Sequence, residues 1–163
     1  MPQIFNNYAF IDGQNLHLGT REAGWIPDYG KLREYLRNRY NVGEAFYFIG
    51  YKDDQKALYA SLTRDGYNLI HKPTYIVDGD FKGNCDAELV LHCMIQFNNF
   101  NKAVIISGDG DFYCLINHLR EQAKLRMVII PNKKKISELL PVASKGQMCY
   151  MDDLKNTMAF ALL

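Results

Sequence analysis

Four continuous apolar runs constrain the fold of this 163-residue chain more than any other feature. Apolar residues do not alternate with polar ones in these runs, which is typical of strands covered on both faces in a parallel sheet. The stretches between them instead place apolar residues at helical spacing, and strands that alternate with helices indicate βαβ units. The runs cover residues 8–11, 45–49, 103–106 and 127–130.

Apolar residues at helical spacing predict five helices between and after the apolar runs. The predicted helices cover 29–40, 53–65, 86–98, 111–122 and, more weakly, about 133–140, where Pro141 ends the last of them. Residues 67–77, interrupted by Pro73, are compatible with either a short strand pair or a loop. Residues 147–150 are predicted as a last short strand, and Asp152 or Asp153 as the cap of a short C-terminal helix.

Composition and length restrict the class of protein. Hydrophobic residues make up 48% and charged residues 23%, as in an ordinary globular protein, and the length fits a single domain over residues 1–163. The chain begins without a basic segment and long apolar run, and no stretch approaches about 18 apolar residues, so we expect a cytoplasmic protein without a membrane partner. The formal net charge of +1 means that nucleic-acid binding would require a local basic patch.

Acidic residues gather where strands give way to helices. They are Asp12 after the first run, Asp109 and Asp111 after the third, and Asp86 and Glu88 at the start of the helix before the third. Because the carboxyl ends of parallel strands converge on one crevice, we expect Asp12, Asp86, Asp109 and Asp111 to meet there. Crowded carboxylates repel one another unless a cation neutralises them, and Mg²⁺ prefers oxygen ligands. The pattern predicts a divalent metal site that can take a phosphate oxygen and an attacking water.

The same residues also have purely structural interpretations. Asp is a favoured helix N-cap, so capping would explain Asp86 or Asp109 taken alone. Asn15 could satisfy a backbone group in the turn after Asp12, and Ser107 could bond locally at its strand end. The joint pattern favours the metal site, because several strand ends supply acids at once.

Other motifs do not fit on spacing. The cysteines form no CxxC pair, and Cys114 with His118 lacks two further zinc ligands. Residues 78–83 resemble the start of an EF-hand loop, but its fifth position is Lys82 and its twelfth is Leu89. GxxxxGKS/T, GxGxxG and GxSxG are all missing, so the sequence does not predict a P-loop, a Rossmann turn or a nucleophile elbow.

Three segments resemble the NYN domain family, in particular its LabA-like branch within the PIN-like nuclease superfamily. They are residues 10–16 (FIDGQNL), 82–86 (KGNCD) and 106–112 (ISGDGDF), in the order that the family has them. The resemblance extends over about residues 8–130. It implies a three-layer α/β/α sandwich with a mostly parallel central sheet, and a metal-dependent ribonuclease.

The resemblance also implies roles for individual positions. Many relatives have a further Asp where this chain has His92, and Glu88 is the neighbouring acid that could compensate. The implied cofactor is Mg²⁺ or Mn²⁺. The implied site has Asp12, Asp86, Asp109 and Asp111 as catalytic metal ligands, Glu88 as a further ligand, and Asn15 and Ser107 as supporting polar groups.

The ribonuclease resemblance implies RNA as the partner, and basic and aromatic residues near the strand ends are the candidates for binding it as a single strand. Lys133, Lys134 and Lys135 would oppose the macrodipole of a helix beginning there, and a phosphate partner would explain them as well as a solvated turn does. Lys82 is the other basic candidate. Tyr51 is the candidate for stacking on an unpaired base.

Three functions stay open from the sequence. The first is a ribonuclease, more specifically an endoribonuclease, and the second is an RNA-binding or regulatory module with little catalysis, which the change at His92 would favour. The third is a phosphohydrolase of a small phosphorylated metabolite, because the same carboxylate site suits that reaction. A homodimer is the candidate assembly.

Overall fold

The computed structural model describes residues 4–73 and 75–163, with all of their side chains except those of 75, 81 and 82. The strands are β1 (Asn7–Asp12), β2 (Trp25–Pro27), β3 (Val42–Gly50), β4 (Tyr67–Lys72), β5 (Tyr75–Val77), β6 (Asp80–Lys82), β7 (Ala103–Ile106), β8 (Leu125–Ile130), β9 (Met148–Tyr150) and β10 (Ala159–Leu162). The helices are α1 (Gly13–Glu22), α2 (Tyr29–Tyr40), α3 (Lys56–Arg64), α4 (Asp86–Ile95), α5 (Tyr113–Glu121), α6 (Leu139–Ser144) and α7 (Lys155–Met158).

A six-stranded sheet forms the centre of the molecule, in the order β4-β3-β1-β7-β8-β9. All of its neighbouring strands are parallel. Two short antiparallel pairs lie outside it, β2 with β10 and β5 with β6. The four apolar runs become β1, β3, β7 and β8, so the prediction of a parallel sheet is confirmed.

Helices cover both faces of this sheet. Along β1, Ala9 and Ile11 join one buried cluster while Phe10 joins the other, because successive side chains of a strand point to opposite faces. The first cluster receives Leu16 from α1, Leu32 and Leu36 from α2, and Leu62 from α3. The second receives Leu89 from α4, Leu115 from α5 and Leu140 from α6. The fold is therefore a three-layer α/β/α sandwich, which explains why the runs show no alternation.

Local signals fix some helix ends. Helix α2 covers the predicted residues 29–40: Asp28 accepts a hydrogen bond from the Lys31 N–H at its start, and Asn41 takes the left-handed conformation at its end. The helices predicted over 53–65 and 111–122 each begin with a 3₁₀ turn instead. The helix predicted over 86–98 ends at Ile95.

The prediction of a helix over 133–140 is wrong. Residues 133–135 form a turn in which the Lys135 N–H donates to the Asn132 carbonyl. Helix α6 begins only at Leu139. Pro141 lies in its first turn, where backbone N–H groups have no acceptor within the helix, so the proline ring is tolerated.

The segments with uncertain predictions adopt definite structure. Strand β4 occupies one edge of the central sheet, and β5 pairs with β6 rather than with β4, while residue 74 lies outside the described residues. Strand β9 confirms the short strand predicted within 147–150. The capping prediction for Asp152 or Asp153 is wrong: Asp152 accepts a hydrogen bond from the Lys133 N–H, and the cap position of α7 is Leu154.

Among the described residues, no helix is both long enough and apolar enough to cross a membrane.

Candidate metal centre

Asp12 stands at the junction of β1 and α1, where strand becomes helix without an intervening loop. It is the last residue of the strand and the N-cap of the helix, and its carboxylate accepts a hydrogen bond of 3.2 Å from the Asn15 N–H. Burial raises the pKa of Asp12, and the charge of Asp109 adds to this, although hydrogen bonds from Asn15 and Ser107 act in the opposite direction. Strand β1 therefore ends in a partly buried carboxyl group whose ionised form is disfavoured by burial and by nearby negative charge.

Gly13 lets the chain turn into α1 directly after this acid. A Cβ atom at this position would lie 2.5 Å from Cε1 of Tyr47 and 2.6 Å from the carbonyl oxygen of Phe48. We expect Gly13→Ala to lower the free energy of unfolding by about 1–3 kcal/mol, because the buried Tyr47 ring and the β3 backbone leave no room. Urea denaturation measures it. An unchanged midpoint for Gly13→Ala would contradict the expectation.

Hydrogen bonds join the β7–α5 turn to the β1–α1 turn. The buried Ser107 hydroxyl donates to Asp12 over 3.0 Å and accepts from the Asp109 N–H over 3.1 Å. The side-chain oxygen of Asn15 accepts from the Gly108 N–H over 2.9 Å. Ser107 thus makes the local bond considered for it, whereas the Asn15 side chain bonds a backbone group in the β7–α5 turn rather than in its own turn. Through the bonds of Ser107 to Asp12 and of Asn15 to Gly108, the two residues also fix the acids of neighbouring strands relative to each other.

Asp109 caps the 3₁₀ turn that leads into α5. Its carboxylate accepts a hydrogen bond of 2.9 Å from the Asp111 N–H, so the capping interpretation is correct for this residue. The side chain of Asp111 itself is exposed.

Asp86 supplies the third acid from the start of α4, which packs on the same face of the sheet as α5. It is the first residue of α4, and the position before it is Cys85, so Asp86 is not the N-cap and that interpretation is wrong. The Asn84 side chain accepts a hydrogen bond from the Asp86 N–H over 2.8 Å. Burial and the charges of Asp12 and Asp109 raise the pKa of Asp86 to about 6.

The structure brings three of the predicted acids together. Asp12, Asp86 and Asp109 each offer a carboxylate oxygen, and these atoms all lie within 4.8 Å of one another. We call these residues the acid trio. The carboxylates open into a cavity of about 280 Å³, and burial, together with their mutual repulsion, raises the pKa values of Asp12 and Asp86. A set of oxygen donors under such repulsion fits a hard divalent cation such as Mg²⁺ or Mn²⁺.

The other proposed ligands lie outside the trio. Asp111 acts on Asp86 only as the weakest of the charges that raise its pKa. Glu88 forms an ion pair with Lys72 at 3.5 Å, and its second oxygen is buried without a hydrogen-bond partner in the described part of the chain. The trio therefore includes neither Asp111 nor Glu88, and the metal-ligand roles of these two residues stay predictions.

His92 does not reach the acid trio. It stands six residues after Asp86 on α4, a rise of about 9 Å at 1.5 Å per residue. Its ring packs against Phe46 and Phe48, with centroids 4.6 and 5.7 Å away. The His92 side chain therefore packs between α4 and the sheet.

The predicted RNA-binding residues are spread around the site. Lys133, Lys134 and Lys135 are exposed in the turn after β8, and Lys135 also lines the acid cavity, with its ammonium group 3.8 Å from Glu22. The Lys82 side chain lies outside the described side chains. Tyr51 follows β3 and contacts the rings of Tyr59 and His71. The nucleic-acid roles of these residues stay predictions.

Sequence reasoning missed three amides around the acid cavity, namely Gln14, Asn84 and Asn132. Asn132 follows the carboxyl end of β8, so the same strand-end argument that selected the aspartates would have selected it. Asn84 precedes α4 at a position where Asn commonly binds the backbone two residues ahead. Gln14 offered no signal, because one exposed helical glutamine resembles any other.

Comparison with known families classifies the chain. The family model of the NYN domain matches residues 8–149, which include every member of the acid trio. The chain belongs to the NYN domain family. As an NYN domain it falls within the PIN-like nuclease superfamily, whose nucleases generally use divalent metals, and the acid trio fits that class of enzyme.

A curated relative agrees with this classification, and a solved structure shares the fold. The NYN domain is 30% identical over 122 residues to the low amplitude and bright protein LabA of Synechococcus elongatus, a match that covers 68% of this chain and 66% of that protein. A crystal structure of a protein of unknown function from Vibrio parahaemolyticus superposes with a TM-score of 0.78 at 22% identity, covering 94% of this chain and 98% of the other. This second likeness shows the fold alone.

Proposed function

We propose that this chain is a metal-dependent ribonuclease that hydrolyses phosphodiester bonds of single-stranded RNA. The observation that carries the proposal is the acid trio, in which carboxylates from three separate segments meet at the carboxyl edge of a parallel sheet. A fold of this type places its ligands at that edge. The NYN classification supports hydrolysis of a phosphodiester as the reaction.

Asp12, Asp86 and Asp109 are the residues that would hold the Mg²⁺ or Mn²⁺ ion. When bound, such an ion supplies Lewis acidity at a phosphoryl oxygen and makes water a better nucleophile. Ser107 keeps the Asp12 carboxylate in place through its hydroxyl, and Asn15 ties the turn after β7 to α1. The site therefore contains ligands whose positions are fixed before an ion or substrate arrives.

The charges around this cavity determine how a phosphate group can bind there. Three carboxylates repel a polyanion, so substrate binding depends on the cation and on nearby positive side chains. Lys135 lines the cavity and is 68% exposed, which leaves its ammonium group accessible to a phosphate oxygen. Lys133 and Lys134 extend the positive surface along the same turn.

Cleavage of a 5′-labelled single-stranded RNA tests the proposal. We expect products with Mn²⁺ or Mg²⁺, no products with excess EDTA, and a rate reduced about 100-fold or more in Asp109→Asn. Glu34→Gln, which removes an exposed acid from α2, is the matched control and retains the rate.

The outcomes separate the competing functions. Equal cleavage by wild type and Asp109→Asn would indicate a contaminating nuclease. RNA affinity without metal-dependent cleavage would select an RNA-binding module, and turnover of an aryl phosphate without RNA cleavage would select a phosphohydrolase. Either of these results would replace the ribonuclease assignment.

A further inference from the structure

A second cavity of about 180 Å³ lies directly beside the acid cavity. The two cavities share Gln14 and Leu18 of α1 as a common boundary. The far side of the second cavity is formed by Ile49 at the end of β3 and by Gln55 and Leu58 at the start of α3. Because Asp12 pairs with Phe48 in the sheet, Ile49 stands one residue beyond the level of Asp12 on the neighbouring strand.

Three apolar side chains and a buried tyrosine line this cavity. Leu18, Ile49 and Leu58 provide the walls, and Leu18 is 47% exposed although it stands between two cavities. At the floor, the buried Tyr47 hydroxyl donates to the Gly13 carbonyl over 3.4 Å. A flat apolar ring that covered Leu18 and Leu58 would bury surface that water now contacts.

Two side-chain amides contribute to the polar part of the lining, to which Lys52 also belongs. Gln14 and Gln55 each offer an N–H donor and a carbonyl acceptor, and neither amide bonds to another group in the described part of the chain. His17 also lines the cavity. An apolar recess with a few amide donors and acceptors matches the faces and edges of a nucleobase.

We propose that this second cavity is a base pocket, formed by Gln14, Leu18, Ile49, Gln55 and Leu58, which holds one unpaired base next to the phosphodiester at the acid trio. The inference rests on the proposed function, because it takes RNA as the ligand of the neighbouring cavity. A base must leave its stack to enter a recess between two helices, so the pocket selects single-stranded RNA. Its volume is below the roughly 300 Å³ of cavities for drug-sized ligands, so it admits a single base.

Filling the pocket tests the inference without requiring cleavage. Leu58→Trp replaces a wall residue by a large ring that fills the pocket, and we expect it to weaken binding of a short fluorescein-labelled single-stranded RNA about tenfold, as for the loss of one stacked base. Fluorescence anisotropy measures the affinity in a buffer with Ca²⁺, another oxygen-ligated divalent cation, so that the three carboxylates do not repel the RNA, and electrophoresis checks that the RNA stays intact. Ala60→Trp is the matched control, because it adds the same ring to α3 at an exposed position outside the pocket, and its affinity equals that of wild type.

A second variant and a second ligand protect the test from a folding defect. Gln55→Ala leaves the apolar walls in place, and we expect it to weaken binding severalfold through the lost hydrogen bonds to the base. A ribose-phosphate oligomer that lacks bases should bind wild type and both pocket variants equally. Melting curves by circular dichroism identify any variant that is not folded.

The results distinguish this inference from the ribonuclease proposal. Pocket-dependent RNA binding without metal-dependent cleavage would retain the base pocket and remove the ribonuclease. Cleavage by wild type with unchanged affinity in both Leu58→Trp and Gln55→Ala would retain the ribonuclease and overturn the base pocket. An equal loss in Ala60→Trp, or absence of RNA binding by wild type, would overturn it as well.

Discussion

Asp12→Asn is expected to lower RNA cleavage by about two to three orders of magnitude and to leave the protein folded. The asparagine oxygen can still accept the Asn15 N–H bond that caps α1, so the turn keeps its main support. The substitution removes the negative charge from the one member of the trio that the sheet itself carries. Losing a group that stabilises transition-state charge typically costs about 10²- to 10³-fold in rate. Initial rates at saturating Mn²⁺ measure the effect, with Glu34→Gln as the charge control.

Asp111→Asn tests whether the site uses three acids or four. The exposed Asp111 carboxylate lies outside the trio, so we expect a loss of about tenfold or less under the same conditions. A loss as large as that of Asp12→Asn would establish the four-acid site that the sequence motif predicts. Conversely, Asp12→Asn with more than a tenth of the wild-type rate would contradict the central role of the trio.

The strands and the convergence of acids could be predicted because both follow from local sequence. A strand covered on two faces must be apolar at every position, as residues 103–106 are, and few other structures require such a run. Once parallel strands are assigned, their carboxyl ends meet at one edge whatever the details of packing. Asp12 and Asp109 needed nothing more than this argument.

The sequence could not show which acids come within coordinating distance. Asp109 and Asp111 stand two residues apart in the same motif, yet only Asp109 belongs to the trio, because it caps the 3₁₀ turn while Asp111 lies within that turn. The bond from Ser107 to Asp12 joins residues 95 positions apart. Such side-chain directions depend on turn geometry and long-range packing, which periodicity does not encode.

The short strands and the second cavity could not be predicted from the sequence either. Strands β2 and β10 have three and four residues and pair across the length of the chain, so neither provides a pattern of its own. The base pocket takes its walls from α1, β3 and α3, and each residue there is unremarkable by itself. The prediction of a helix over 133–140 fails because a proline can either follow a helix or lie in its first turn, and Pro141 lies in the first turn of α6.

The ion-free protein is expected to lose stability as pH rises from about 4 to about 6, chiefly through Asp86. Its pKa is about 6 in the folded state, against an ordinary value of 3.8, so the folded state binds more protons over this interval. The contribution of this group is fully present below about pH 4 and is lost as pH passes 6. The difference corresponds to roughly 3 kcal/mol at full strength, and solvent screening of a half-buried carboxyl reduces it to about 1–2 kcal/mol.

Asp86→Asn isolates this effect from that of every other titrating group. At pH 7 without metal, the variant should be more stable than wild type by about 1–2 kcal/mol, because it no longer buries a negative charge and no longer adds to the repulsion within the trio. With Mn²⁺ at about 100 times its dissociation constant the order reverses, since wild type gains about 2.7 kcal/mol and a variant with one ligand fewer gains little. Urea denaturation at pH 4 and pH 7, with and without Mn²⁺, measures all four differences. A variant that is less stable than wild type in EDTA at pH 7 would show that Asp86 stabilises the fold directly, and would remove the electrostatic argument for a cation between these three carboxylates.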